Sequence, residues 1–246
     1  YNAAISACES GRQWEWALRL LGEMWRQAAR PTAVTYNAAI SACEAGQSWQ
    51  QRLETDLLED MRRRRLRPDA VTYNAVISAC DRRKQWEEAL GFVEELRGEA
   101  LQPDSFTYVA AMSACEKGQK WEAALELLGE MLEAELEASL LAFNAALAAC
   151  EKGRQWQRLL LLLADLQRRG PEPDVVSYNA AARACEWEGL WRLALALLGR
   201  MRGHGAAPDA NTLGAAAGAC GRARQWQLLP CLEELEAVGR CACLAA

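Results

Sequence analysis

The chain has 246 residues, 51% of them hydrophobic and 25% charged, an ordinary globular composition. Its net charge of −5 excludes a protein that grips nucleic acid by bulk positive charge, so any such binding requires a locally arranged groove. No stretch reaches the roughly eighteen consecutive apolar residues of a membrane span; the longest run, around Leu159 to Ala164, is flanked by Arg158 and Asp165.

One period organises everything else. Tryptophan stands at Trp14, Trp49, Trp86, Trp121, Trp156, Trp191 and Trp226, at intervals of 35 residues with a single 37. Cysteine keeps step at Cys8, Cys43, Cys80, Cys115, Cys150, Cys185 and Cys220. So does an aromatic at Tyr1, Tyr36, Tyr73, Tyr108, Phe143 and Tyr178, with Leu213 in the seventh place. Each period predicts two helices joined by a turn.

The first unit, about 1–32, opens on Tyr1 inside the motif, so a longer parent protein is expected. Gly11 marks its turn, Trp14 and Ala17 its second helix, and Pro31 its close. The second, 33–69, carries the two extra residues between Trp49 and Met61, which would swing an apolar stripe by about 200°. A bulge or a late helix start is therefore expected near Gln50 to Asp56. The segment QQRLETDLLEDM also lacks the alanine that Ala17, Ala89 and Ala124 supply elsewhere. The basic run from Arg62 to Arg65, then Arg67, suits the C-terminus of that unit's second helix, with a phosphate contact as the alternative.

In the third unit, 70–104, Tyr73, Ile77 and Cys80 form an i, i+4, i+7 face. The fourth, 105–139, shows the second stripe as Trp121, Ala124, Leu125, Leu128 and Met131. It also crowds Glu122, Glu126, Glu130, Glu133, Glu135 and Glu137 into its second helix and linker. The fifth is 140–174. The sixth, 175–209, replaces the turn glycine of Gly46, Gly118 and Gly153 with Glu186-Trp187-Glu188-Gly189. The seventh, 210–244, is degenerate, and Pro230 interrupts its second helix.

A single hairpin cannot bury its own apolar face, so the units must stack. The fold class predicted is all-α, an α-solenoid superhelix of helix-turn-helix repeats forming one array over 1–246. Seven cysteines then fill one small buried slot as reduced thiols. No zinc-like CxxC pair occurs, and His204 is the only histidine, so no metal or cofactor is expected. The tryptophans are expected to pack between helices. No nucleophile elbow, phosphate-binding glycine loop or deaminase motif is present, which points to a binder and not an enzyme.

The unit VTYNAVISACDRRKQWEEALGFVEELRGEALQPD, Val71 to Asp104, resembles the pentatricopeptide repeat in its P-type form, and the resemblance covers essentially the whole chain. The tetratricopeptide repeat differs in its period of 34 and its early Trp and Leu-Gly. The resemblance implies single-stranded RNA bound one base per repeat, each base read by two or three side chains. It assigns base reading to Asn2 with Thr32, Asn37 with Asp69, Asn74 with Asp104, Asn144 with Asp174, and Asn179 with Asp209. It implies a preference for uracil or another pyrimidine at these units. The fourth unit departs with Val109 and Ser139, and the seventh with Gly214. Base packing falls by resemblance to Val34, Val71, Phe106, Leu141 and Val176, where Asn211 would make a poor sandwich. The position two after the cysteine, near the RNA backbone in the family, holds Ser10, Ala45, Arg82, Lys117, Lys152, Trp187 and Arg222. A positive strip of Arg82, Lys117, Lys152 and Arg222 is expected, with acid largely on the outer surface.

The residues also admit plainer roles. An Asp after Pro caps the next helix. Asn is a poor helix former, yet it recurs beside the core stripe, which favours a role in binding. An Asn amide offers both a donor and an acceptor to a pyrimidine edge, and an ionised Asp can hold it through a charge-assisted hydrogen bond. The expected partner is single-stranded RNA, with a monomeric chain and no membrane. Protein partners, or a catalytic domain elsewhere in the parent protein, are compatible with this. The resemblance implies a chloroplast or mitochondrial setting in RNA processing, stability, editing or translation. The alternative is a protein-interaction solenoid using the same face.

Overall fold

The computed structural model describes residues 1–46 and 53–225. Expectations for Trp49, positions 50–52, Trp226, Pro230, Cys241 and Cys243 lie outside the described residues. Thirteen helices occur among the described residues: α1 (Asn2–Ser10), α2 (Trp14–Arg26), α3 (Ala33–Ala45), α4 (Leu53–Arg63), α5 (Ala70–Arg83), α6 (Trp86–Gly98), α7 (Ser105–Lys117), α8 (Trp121–Glu133), α9 (Leu140–Lys152), α10 (Trp156–Arg169), α11 (Val175–Glu188), α12 (Trp191–Gly203) and α13 (Ala210–Arg222).

The chain divides into two compact units, Tyr1–Gly118 and Gln119–Ala246. In the first, α1, α3, α5 and α7 pack in succession, with α2, α4 and α6 each wedged behind two of them. The second repeats the plan: α9, α11 and α13 stack, and α8, α10 and α12 back them. This is the layering of an α-solenoid, built from the expected hairpins.

The core follows the repeated rows. Tyr36, Tyr73, Tyr178 and Phe143 are buried at the start of the first helices, and Cys43, Cys80, Cys115, Cys150, Cys185 and Cys220 lie two turns further on, fully buried. Burial pushes the thiols of Cys115, Cys150 and Cys185 up to about 11, so they stay protonated and poorly nucleophilic. On α8 the buried stripe is Ala124, Leu127, Leu128 and Met131; the expected Leu125 is only half-buried. The tyrosine hydroxyls reach polar groups on the backing helices, as Tyr36 does to Asp60 at 2.5 Å. Burial and this hydrogen bond push the Tyr36 hydroxyl up to about 12.

The turn glycines have a different reason from the one their position suggests. After α1, α5, α7, α9, α11 and α13 the left-handed residue stands four places beyond the cysteine, at Arg12, Lys84, Gln119, Arg154, Gly189 and Arg224, with φ between 54° and 67°. The N–H of the next residue closes back on the cysteine carbonyl, as from Gln85 to Cys80 at 3.0 Å and Gln155 to Cys150 at 2.9 Å. Gly46, Gly118 and Gly153 sit one place earlier with ordinary negative φ. What they provide is room. A methyl at Gly118 would overlap the Trp86 indole, and one at Gly153 the Trp121 indole. Trp14, Trp86 and Trp121 are thus half-buried, each seated on the turn of the following hairpin.

The described part of the 37-residue unit is helical from Leu53, with Leu57, Leu58 and Met61 buried. Glu54 occupies the place of the missing alanine, fully buried, and pairs with Arg83 at 2.9 Å.

Candidate nucleic-acid interface

The first helices α5, α7, α9, α11 and α13 each begin at a residue in extended conformation whose side chain caps it. Asp69, Asp104, Asp174 and Asp209 accept from the backbone N–H three residues on, at Thr72, Thr107, Ser177 and Thr212, at 2.8–2.9 Å. The capping role and the pairing with asparagine turn out to be compatible. The Asn37 amide donates to both Asp69 oxygens at 3.0 Å. Asn74 donates to Asp104 at 3.1 Å, Asn144 to both Asp174 oxygens at 3.2 Å, and Asn179 to Asp209 at 3.0 Å. The asparagine closes one hairpin's first helix onto the cap of the next.

A third group joins them that the sequence reading did not single out. The buried hydroxyl just before the aromatic lies against the preceding hairpin's asparagine carbonyl. Thr72 Oγ1 donates to Asn37 Oδ1 at 2.5 Å, Thr107 Oγ1 to Asn74 Oδ1 at 2.5 Å, and Ser177 Oγ to Asn144 Oδ1 at 2.6 Å. Thr35 Oγ1 does the same to Asn2 at 2.8 Å, where Thr32 stands in place of the acid. At the sixth hairpin's Asn179 the pattern breaks: the Thr212 hydroxyl of the seventh meets only Asp209, at 2.7 Å, and Asn179 Oδ1 is buried with no partner.

These bonds act on the carboxylates. Burial raises the pKa of Asp69, Asp104 and Asp209, but the hydrogen bonds from Thr72, Thr107 and Thr212 and from the asparagines outweigh it and lower all three. Asp209, which also accepts from Asn211, comes down to about 2. The acids are ionised at neutral pH and hold their amides by charge-assisted bonds.

Asn37, Asn74 and Asn144 are half-buried, while Asn179 is only 9% exposed. One turn earlier on the same helices, Val34, Val71, Leu141 and Val176 are 56–68% exposed, and Phe106 stands likewise before Val109 on α7. Residues three apart are neighbours on a helix, so apolar groups in water flank the amides. The two oxygens of one carboxylate, at equal distance, face a single N–H, so each half-buried amide retains its other N–H and one carbonyl lone pair. Such a surface presents a donor and an acceptor beside an apolar platform.

The basic row is not an unshielded strip. Lys117 pairs with Asp81 at 2.6 Å, and Arg82 with Glu44 at 3.0 Å. Arg222 donates to the Trp187 carbonyl at 3.4 Å, and Lys152 is exposed. Acid is therefore not confined to the outer helices. It sits one place before the basic row, where Glu44 also accepts from Ser78 at 2.7 Å and Glu151 from Arg183 at 3.0 Å. The signal was available, since Glu9, Glu44, Asp81, Glu116, Glu151 and Glu186 all follow the cysteine directly. Among the described residues no His, Cys, Asp or Glu cluster is placed to hold a metal, and no helix is long and apolar enough to cross a membrane.

Three family models match the chain. The PPR repeat family matches residues 68–117, the pentatricopeptide repeat domain residues 1–45 and 161–223, and the PPR repeat residues 106–136. No curated protein matches. Among solved structures, the pentatricopeptide repeat protein PPR10 in complex with an 18-nt psaJ RNA element is 28% identical over 91% of this chain, with a TM-score of 0.71. The chain spans 32% of the length of that protein. PPR10 from maize, at 22% identity over 97% of this chain and 39% of its own, has a TM-score of 0.64. The PPR domain of Arabidopsis thaliana protein-only RNase P 1, in complex with tRNA, is 14% identical over 66% of this chain and 86% of its own, with a TM-score of 0.59. The last two speak to the fold alone.

Proposed function

We propose that this chain, which belongs to the pentatricopeptide repeat family, binds single-stranded RNA through its first helices, one hairpin to one base, with no catalysis of its own. The observation that carries this reading is the recurring amide held against a carboxylate, at Asn37–Asp69, Asn74–Asp104, Asn144–Asp174 and Asn179–Asp209. A peptide groove has no need of that pair once per hairpin. An unpaired pyrimidine does, because its edge carries adjacent donor and acceptor groups. The likeness to PPR10, whose structure holds an RNA element, supports the same ligand.

The P-type subclass, a monomeric state and a pyrimidine-U-U-any-U-U preference, read 5′ to 3′ along hairpins one to six, belong to this proposal. Val109, with neither donor nor acceptor, leaves the fourth base open. Family membership supports an organellar transcript, in chloroplast or mitochondrion, as the target, acted on in processing, stability, editing or translation. Competition binding tests the reading: a uracil-rich strand should displace bound RNA far better than an adenine-rich strand of equal length. Equal displacement removes base reading. No RNA binding at all returns the chain to the protein-interaction alternative.

A further inference from the structure

We infer that the hydroxyl before each aromatic, on Thr72, Thr107 and Ser177, is a positioning residue that makes the preceding hairpin choose uracil over cytosine. The inference rests on the base-reading proposal and deepens it. An asparagine amide rotated by half a turn exchanges its N–H and its carbonyl. Uracil presents a carbonyl and a ring N–H; cytosine presents an amino group and a bare ring nitrogen in the same two places. The order of donor and acceptor is reversed between them, so an amide free to rotate matches either, and a fixed one matches a single pyrimidine.

The structure shows the amide fixed from both ends. Asp104 takes an N–H of Asn74 at 3.1 Å, and the Thr107 hydroxyl gives its proton to the carbonyl at 2.5 Å. The hydroxyl cannot easily turn away, because the Asp104 backbone N–H already donates to it at 3.3 Å. Its remaining choice is Asp104 Oδ1 at 2.8 Å, a carboxylate oxygen that the Thr107 N–H also occupies. Thr107 is fully buried, so water does not compete for the bond. The same geometry recurs at Asn37–Thr72 and Asn144–Ser177.

The sequence pairs the two groups across hairpins. Asn2, Asn37, Asn74, Asn144 and Asn179 are followed one hairpin later by Thr35, Thr72, Thr107, Ser177 and Thr212. The one interior hairpin without the asparagine, at Val109, is followed by Ala142. If the hydroxyl served only to cap a helix, its loss would have no reason to coincide with the loss of an amide elsewhere.

The test places uracil or cytosine opposite the third hairpin and measures both affinities for the full chain. Wild type prefers uracil there. Thr107→Val, which keeps the shape and removes the hydroxyl, should lower the uracil-to-cytosine ratio about five-fold, the shift one net hydrogen bond supports. Thr107→Ser should restore it. The change belongs to the third base although the substitution lies in the fourth hairpin. Ser177→Ala should do the same at the fifth base, and serves if Thr107→Val fails to fold. Thr212→Val should leave the sixth base unchanged, since its hydroxyl does not reach Asn179. An unchanged ratio, with uracil and cytosine weakened equally, makes the hydroxyl a capping group only and overturns the inference while base reading stands. Failure of wild type to distinguish uracil from adenine removes base reading itself.

Discussion

Glu54 and Arg83 form an ion pair at 2.9 Å with their side chains 0% and 6% exposed. Glu54 stands where Ala17, Ala89 and Ala124 stand in other second helices, and Arg83 where Gly46, Gly118 and Gly153 stand. Each departure from the repeat compensates the other. Either alone would strand a charge in the core.

The thermodynamic consequence is a large coupling. Glu54→Ala or Arg83→Gly alone should destabilise the chain by about 3–5 kcal/mol, because the remaining ion is left buried and unpaired. The double substitution should recover most of that loss. Denaturant melts in a double-mutant cycle measure the coupling; additive single effects would show the pair to be independent.

The glycines divide into two classes with opposite responses to alanine. Gly129, in the middle of α8, has nothing within 4 Å of an added methyl. Gly129→Ala should stabilise by about 0.5–1 kcal/mol through helix propensity. Gly153→Ala would drive its methyl into the Trp121 ring and should destabilise by about 1–3 kcal/mol. Thermal melts of the two variants should move in opposite directions.

Acid should weaken the fold through the capping aspartates. Asp209 has its pKa depressed from 3.8 to about 2 in the folded chain. Its stabilising contribution is complete above the unfolded value and is lost as pH falls from about 4 towards 2. Asn can still cap a helix, so Asp209→Asn should flatten this limb of the stability profile without abolishing α13. Circular dichroism melts between pH 5 and 2 give the comparison; an unaltered acid limb would assign it to other carboxylates.

The ion pairs beside the basic row set up a competition for phosphate. Lys117→Ala should weaken RNA of any sequence alike and reduce the dependence of log K on log salt by about 1. Asp81→Asn, by releasing Lys117 from its 2.6 Å partner, should tighten binding. A salt titration of wild type and both variants tests this; unchanged affinity in Asp81→Asn would mean the pair stays out of the way of the RNA.

The hairpins were legible because their determinants are local and repeated. Tyr73, Ile77 and Cys80 declare a helix face within eight residues, and Pro-Asp declares the start of the next helix. What joins one hairpin to another was harder to see. Asn74 meets Thr107, Lys117 meets Asp81 and Arg83 meets Glu54 across 33, 36 and 29 residues, so no window of helical length contains both partners. Their trace in the sequence is a paired exception, such as Val109 with Ala142. The turn glycines misled for a related reason: Gly118 looks like a local hinge, but its constraint is the Trp86 ring of the previous hairpin.

Asp69 Oδ1 accepts from the Thr72 backbone at 2.9 Å and from the Asn37 amide at 3.0 Å, so a single atom begins a helix and orients a reader. Rewriting the nucleotide preference at this place therefore draws on a short alphabet. A replacement must be compact and carry an oxygen acceptor, which leaves serine, threonine and asparagine beside aspartate, and this chain already spells two of them at Thr32 and Ser139. Longer or apolar choices would garble the scaffold before they changed the message.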